Sequence, residues 1–164
     1  MAGAARLAVE RGSDDQMLHA QELIRSLGDA TLHPEKLPGL FDEIVDLITR
    51  ASGNLVLMLW RNTVRPVLAD QLAPLRARMQ PDATMGEIVA ALARAIGERD
   101  AVGTEESIRR LLRHRRDRML AQLEADGWRV VPLDEGHMAC GDEGRGRLPE
   151  PAEIARVVRE ALGA

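Results

Sequence analysis

The chain has 164 residues, which suits one domain of ordinary size with a single buried core. Its hydrophobic fraction of 45% argues against disorder, and aromatic residues make up only 2%, so aliphatic side chains must build the core. The net charge of −4 gives no reason to expect a polyanion binder, and a single cysteine excludes a disulfide framework. No apolar run approaches the roughly 20 residues that span a bilayer, and the N-terminus lacks a secretory signal. We therefore expect a soluble cytoplasmic protein with no membrane contact.

Helical periodicity dominates the N-terminal part of the chain. Residues 2–11 predict a short Ala-rich helix with no capping signal. Ser13 and Gln16 have the spacing of a capping box, which opens a second helix that Gly28 closes. The apolar stripe of this second helix is formed by Met17, Ala20, Ile24 and Leu27.

A linker and two further helices are predicted next. His33-Pro34 and Leu37-Pro38 indicate the linker, because proline disfavours the helical conformation in the residue before it. Gly53 suits the C′ position just beyond the third helix, whose apolar stripe comprises Phe41, Ile44, Val45, Ile48 and Ala51. Asn54 caps a fourth helix that is apolar nearly all round over 55–60, which predicts a central position, and Pro66 predicts a kink in it.

Two more long helices follow a loop at 80–82. Thr84 and Glu87 have capping-box spacing, and Thr104 is the predicted cap of the last long helix. Their apolar stripes are Met85, Ile88, Val89, Leu92, Ala95 and Ile96, and then Ile108, Leu111, Leu112, Met119 and Leu123.

The character of the chain changes after Gly127. Residues 128–133 predict one short strand, and the Gly-rich segment 134–151 predicts a loop. A last amphipathic helix near 152–162 presents Ile154, Val157, Val158 and Ala161. The sequence therefore predicts an all-α protein: an antiparallel bundle of about six helices over 1–125, with a short C-terminal appendage over 126–164.

The stretch 39–54, GLFDEIVDLITRASGN, resembles the FadR-type effector domain of the GntR family of bacterial transcription regulators. The corresponding helix of that family usually reads D-x-x-F-H-x-x-L-x-x-A-S-G-N, and its Asp and His supply two ligands of a metal site. Counting back from Asn54, those two positions are Phe41 and Val45 in this chain. The resemblance covers roughly residues 1–124.

A second segment, LARAIGERD at 92–100, is similar to the "A-I-x-x-x-D" helix end of the same family. In metal-binding members a His lies eleven residues before that Asp and another eleven after it. Here these positions are Val89 and Leu111. Because four hydrocarbon side chains offer no donor to a transition metal, we expect no metal and no cofactor at this site.

The resemblance implies a ligand-sensing and dimerising domain whose effector is hydrophobic and acidic, such as a fatty acyl-CoA or a fatty acid. The ligand-binding residues it suggests are Phe41, Val45, Arg61, Val89, Leu111 and Arg115. The alternative is that the former pocket has closed into core, which leaves a dimerisation or interaction module without an effector. The family's N-terminal winged helix-turn-helix has no counterpart here, so we expect no direct DNA contact from these residues.

Basic residues crowd the last long helix, at Arg109, Arg110, Arg113, His114, Arg115, Arg116 and Arg118. A solvated helix face is the simplest interpretation, because no aromatic side chains interleave for nucleic-acid stacking. Arg115 is the exception, since it falls amid the apolar stripe and would meet a ligand anion or a core carboxylate, while His114 points toward solvent. Arg61 follows Leu57 by one helical turn and is a second candidate for a ligand contact.

No catalytic arrangement is found in the sequence. The nucleophile-elbow, phosphate-loop and zinc-protease motifs are all absent, so we do not expect an enzyme. His137 and Cys140 have the spacing of half a zinc site, but no second pair lies nearby.

Overall fold

The computed structural model describes residues 1–29, 36–63, 82–137 and 143–163. These ranges are predominantly helical, which confirms the all-α class. The chain forms two compact units, Met1–Met119 and Leu120–Ala164. Within the described ranges, no helix is both long enough and apolar enough to cross a membrane.

The first unit is a set of packed helices. They are α1 (Ala2–Arg11), α2 (Asp14–Asp29), α3 (Leu37–Ala51), α4 (described over 55–63), α5 (Ala83–Gly97) and α6 (Ala101–Ala125), whose last turns belong to the second unit. Helix α2 packs against both α3 and α5, and α1 packs against α3. The core is aliphatic, as the composition predicts, and its most deeply buried large side chains are Ile24, Leu27 and Leu92.

The predicted capping box at the start of α2 is present. The backbone amide of Gln16 donates to Ser13 Oγ at 3.2 Å, and the amide of Ser13 donates to Gln16 Oε1 at 3.0 Å. Each side chain thus satisfies one amide that the helix itself leaves without a partner.

The predicted caps of α5 and α6 are wrong by two and four residues, respectively. Asp82 caps α5 and accepts a hydrogen bond from the Met85 amide at 2.8 Å, so Thr84 lies inside the first turn. Asp100 accepts from the Gly103 amide at 2.9 Å, which places Thr104 inside α6. A carboxylate satisfies the same amide as a hydroxyl and also complements the positive end of the helix dipole.

The predicted linker is also partly wrong, because Leu37 and Pro38 form the first turn of α3. Proline suits the first turn of a helix, where its missing N–H has no intrahelical partner to lose. The predicted linker at His33-Pro34, the kink at Pro66 and most of the predicted loop at 80–82 lie outside the described residues.

The central position predicted for α4 is wrong over its described part. Four large apolar side chains are exposed: Leu55 by 62%, Val56 by 77%, Leu59 by 60% and Trp60 by 50%. Leu57, Met58 and Arg61 are less exposed and define the opposite, inner side of the helix. A helix that packs against a single neighbour buries only one side. Where every side is apolar, the sequence does not indicate which side that is.

The second unit contains a hairpin and a helix. Strand β1 (Asp134–His137) pairs antiparallel with β2 (Glu143–Arg147), and α7 spans Pro151–Leu162. The predicted strand at 128–133 is not formed, and the pairing lies instead in the segment predicted as a loop. Residues such as Asp, Glu and Gly have low strand propensity, so the pairing of their backbones leaves no sequence signal. Helix α7 confirms the predicted last helix and contains no buried residue.

Candidate functional site

The corner at residues 51–54 joins α3 to α4 through buried polar contacts. The Ser52 side chain is fully buried, and its Oγ donates to the Thr49 carbonyl at 2.9 Å and accepts from the Asn54 amide at 3.2 Å. Asn54 Oδ1 accepts from the Leu57 amide at 3.0 Å, which confirms its predicted role as the cap of α4. Gly53 has a φ of +63°. The corner therefore fixes the direction in which α4 leaves α3.

Arg11 ties the end of α1 to this corner. Its Nη1 donates to the Ser52 carbonyl at 3.0 Å. That carbonyl lies just beyond the last residue of α3, where a cation also interacts favourably with the helix dipole. Three helices thus meet at residues 51–54.

Replacing Gly53 by Ala is expected to destabilise the chain by about 1–2 kcal/mol, the cost of the left-handed conformation for a residue with a Cβ. The space itself is open, since an added Cβ would meet only Arg11 Nη1, at 3.9 Å. The free energy of unfolding from urea denaturation measures this cost. Gly53→Asn is the control and should cost less, because asparagine tolerates the conformation better. Equal losses for the two variants would contradict backbone strain as the cause.

Of the four positions that correspond to metal ligands in the resembled family, three belong to or pack against the apolar core. Val89 on α5 and Leu111 on α6 are buried members of one hydrophobic cluster. Phe41 on α3 is partly buried and packs against that cluster, and Val45 is half-buried one turn later. Phe41, Val89 and Leu111 therefore contribute hydrocarbon to one apolar cluster.

Arg115 lies against Phe41. Its guanidinium carbon is 4.0 Å from the centroid of the Phe41 ring, a cation–π geometry. The expected partner of Arg115 was an anion or a core carboxylate, and the structure places an aromatic face there as well. The ring faces the cation with its negative quadrupole, so it offers an electrostatic partner within the apolar stripe.

Arg61 is directed inward from α4. Its side chain is only 12% exposed, and Nη1 lies 2.9 Å from Asp46 Oδ1 on α3. The other oxygen of Asp46 lies 2.9 Å from Nε of Arg50. Arg61 Nε is buried and has no hydrogen-bond partner in the described part of the chain. One carboxylate thus serves two guanidinium groups, and the trio carries one excess positive charge.

A second cluster, Asp82 with His114 and Arg118, connects α5 to α6. His114 Nε2 lies 3.0 Å from both Asp82 oxygens, and Arg118 Nη1 lies 2.9 Å from Oδ2. The expectation that His114 points to solvent is therefore wrong. Burial alone would raise the pKa of Asp82, but the Met85 amide and the charges of His114 and Arg118 outweigh it and lower that pKa.

This lowered pKa predicts how Asp82 contributes to stability as the pH changes. The folded carboxyl binds fewer protons than the unfolded one, so its contribution is complete above the ordinary value of 3.8 and is lost as the pH falls through the lower folded value. Asp82→Asn keeps the cap and removes the charge, with an expected loss below about 1 kcal/mol at neutral pH. Urea denaturation of both proteins from pH 7 downward should show this difference shrinking below pH 3.8. A difference that grows below pH 3.8 would contradict the assignment.

The remaining arginines of α6 agree with the solvated-face interpretation. Arg109, Arg110, Arg113 and Arg116 are all exposed. Arg109 pairs with Glu105 one turn away, and Arg116 pairs with Asp117. Such pairs on a helix surface are typical of a solvent-exposed side.

A small cavity lies among α1, α2, α3, α5 and α6. Its volume is about 30 Å³, and its lining includes Val9, Met17, Ile24, Leu92 and Ile108. Pockets that bind drug-sized ligands have roughly ten times this volume or more. The six residues predicted to bind ligand are not among those that line it.

Thr104 also lines this cavity. Its side chain is buried, and Oγ1 has no hydrogen-bond partner among the described residues. The sequence gives no sign of this, because Thr104 follows a turn and has the residue type of a helix cap.

Sequence reasoning missed the polar pairings that join separate helices. The Asp46–Arg61 pair and the Asp82 cluster are both long-range contacts. The only readable signal was the spacing of His114 and Arg118 by four residues, which places them on one side of α6.

Outside the helical sites, the side chain of His137 and all of Cys140 fall outside the described residues. The described ranges hold no group of three or more His, Cys, Asp or Glu side chains with the proximity of metal ligands. Comparison with known proteins finds no matching family model, curated protein or solved structure.

Proposed function

We propose that the chain is the effector-sensing and dimerisation domain of a FadR-type GntR transcription regulator, and that it works without a bound transition metal. The observation that carries the proposal is the corner at residues 51–54, whose Ser52 and Asn54 contacts link two helices of an all-helical unit. The helix before this corner has hydrocarbon at the two positions, Phe41 and Val45, where the family's metal-binding members have ligands. A sensor of this kind recognises an apolar effector.

The proposed effector is a fatty acyl-CoA or another hydrophobic acid. Its acyl chain would lie along the inner layer formed by Phe41, Val45, Val89 and Leu111. Three of these residues belong to, or pack against, one apolar cluster, which supports a hydrocarbon partner. Burying methylene groups there contributes about 0.8 kcal/mol for each group, so a long chain is favoured over a short one.

Arg61 is the proposed contact for the acidic end of the effector. Its buried Nε lacks an acceptor in the described residues, and Asp46 neutralises only one of the two guanidinium groups beside it. A ligand carboxylate or phosphate would satisfy that N–H with a charge-assisted hydrogen bond. Arg115 would then support the chain side of the site through Phe41 rather than bind the acid.

The proposed output is a shift between two arrangements of the bundle. An effector that binds one arrangement more tightly populates it and changes the placement of two DNA-binding domains in a dimer. Those domains would be supplied by a winged helix-turn-helix in the same regulator or in a partner chain, because no direct DNA contact is assigned to the residues of this chain.

A second candidate function is an interaction module with a closed core and no small-molecule effector. Two observations favour it. Val89 and Leu111 are already buried, and the cavity in the first unit, about 30 Å³, is far too small for an acyl chain. The first proposal therefore requires the bundle to open around its effector.

Thermal-shift measurements separate the two candidates. The purified chain would be heated with dodecanoyl-CoA, dodecanoate, free CoA or acetate, each with and without EDTA. The sensor proposal predicts that the two long-chain ligands raise the melting temperature and that EDTA changes nothing, because binding to the folded state stabilises it. No response to any of the four ligands would favour the interaction module. A response that EDTA abolishes would contradict metal independence.

Two matched arginine variants test the head-group contact. Arg61→Gln should weaken dodecanoyl-CoA binding by at least about tenfold, the loss expected for one charge-assisted hydrogen bond. Arg50→Gln is the control, because it removes the other, largely exposed guanidinium from the same Asp46. Titration calorimetry measures both affinities. Equal losses of affinity in the two variants would contradict a direct head-group contact from Arg61, because only the net charge near Asp46 would then affect binding.

A further inference from the structure

The outer side of α4 is an uncharged apolar surface. It is formed by Leu55, Val56, Leu59 and Trp60, which we call the α4 face. Leu55 and Leu59 lie one turn apart, as do Val56 and Trp60, so the four side chains form two adjacent rows along the helix. Isolated apolar residues are common on protein surfaces, but four large ones on adjacent turns form a continuous patch. Such patches mark interaction sites.

The lack of charge on the α4 face limits the kinds of partner that it can recognise. The described residues of α4 contain a single charged side chain, Arg61, and it is directed inward to Asp46. The face therefore offers no charge for an acidic or basic partner to recognise. The whole chain carries a net charge of −4, so two copies repel each other least where charged groups are absent.

The area of the face fits a reversible dimer. Four large side chains exposed by half to three quarters present on the order of 400 Å² per copy, or roughly 800 Å² when two copies meet. With a polar rim, the total reaches the lower end of specific interfaces, about 1,200 Å². A two-fold axis places the same surface of each copy against the other, which suits a face that is mainly hydrocarbon and indole and continues into the uncharged, exposed Asn62 and Thr63.

We infer that the α4 face is the surface on which a second copy of this chain docks, through antiparallel packing of two α4 helices. The inference rests on the dimerisation part of the proposed function and assigns it to four residues. Trp60 is the anchor, because aromatic side chains dominate the energetics of such interfaces.

Analytical ultracentrifugation of the full chain and two matched variants tests this inference. Leu59→Asp places a charge in the α4 face, whereas Leu18→Asp makes the same change on α2 at nearly the same exposure, 60% against 59%. We expect a concentration-dependent dimer in the unchanged chain and in Leu18→Asp. In Leu59→Asp the dissociation constant should rise at least about tenfold, because two buried like charges would face each other. Circular dichroism confirms that both variants fold.

The emission of Trp60 gives an independent readout. In a Trp128→Phe background, Trp60 is the chain's only tryptophan, and its emission should shift to the blue as the protein is concentrated. A monomer at every concentration would overturn the inference, and so would a dimer that Leu59→Asp leaves intact. Thermal shifts with dodecanoyl-CoA would be measured on monomeric Leu59→Asp as well. If Leu59→Asp still responds to dodecanoyl-CoA, the sensing function is supported independently of where the dimer surface lies.

Discussion

Replacing Leu92 by Ala is expected to lower the free energy of unfolding by about 2–5 kcal/mol, the range for deletion of a buried leucine side chain. Leu92 is buried on α5 and lines the small cavity together with Ile24 and Ile108. The space left by the substitution would join this cavity, and the cost of truncation rises with the cavity volume that remains. The loss should therefore fall in the upper part of that range.

Urea denaturation followed by circular dichroism measures the effect of the Leu92 substitution. Leu18→Ala is the matched control, since it removes the same atoms from an exposed position on α2 and should change stability by no more than about 0.5 kcal/mol. A loss below about 1 kcal/mol for Leu92→Ala would contradict its placement in the core.

Replacing Thr104 by Val is expected to stabilise the chain by about 1–3 kcal/mol, which is an unusual sign for a substitution in the core. Thr104 is buried, and its hydroxyl has no hydrogen-bond partner in the described ranges. Valine has nearly the same shape and brings no unsatisfied polar atom. Removing the hydroxyl therefore removes a desolvation penalty and loses no bond.

Thr49 provides the control for this prediction. It is equally buried, but its Oγ1 donates to the Val45 carbonyl at 2.7 Å. Thr49→Val should therefore destabilise the chain, by about 0.5–1.5 kcal/mol. The same urea denaturation measures both variants. A loss of stability for Thr104→Val would show that its hydroxyl has a partner, such as a buried water.

Local patterns in the sequence predicted local structure well. The Ser13–Gln16 capping box and the Asn54 cap each depend on residues within four positions of one another, and both are present. The starts of α5 and α6 were missed because each offered two capping residues close together. At α5 the choice of Asp82 is supported by His114, which lies 32 residues away in the sequence. The choice of Asp82 over Thr84 as the cap therefore depends in part on a distant helix, and local sequence spacing does not predict it.

In the candidate site, too, features set by local sequence were predictable and long-range contacts were not. The apolar stripes correctly placed Val89 and Leu111 in the core, because burial follows helical periodicity. The partners of Arg61 and Arg115 were not predictable, since each depends on how α3 meets another helix. The exposed side of α4 was missed for a related reason: a helix that is apolar on every side gives no indication of which side lacks a neighbour.

Methyl NMR tests the proposal that an acyl chain binds beside Val45, Val89 and Leu111. The chain would carry ¹³C-labelled methyl groups on Ile, Leu and Val and be titrated with dodecanoyl-CoA. If the proposal holds, the methyls of Val45, Val89 and Leu111 show saturable shifts, and the exposed Leu18 shows none. Free CoA should leave all four unchanged. Unperturbed methyls at Val45, Val89 and Leu111 with ligand at about 1 mM, where even weak binding is detectable, would contradict the claim.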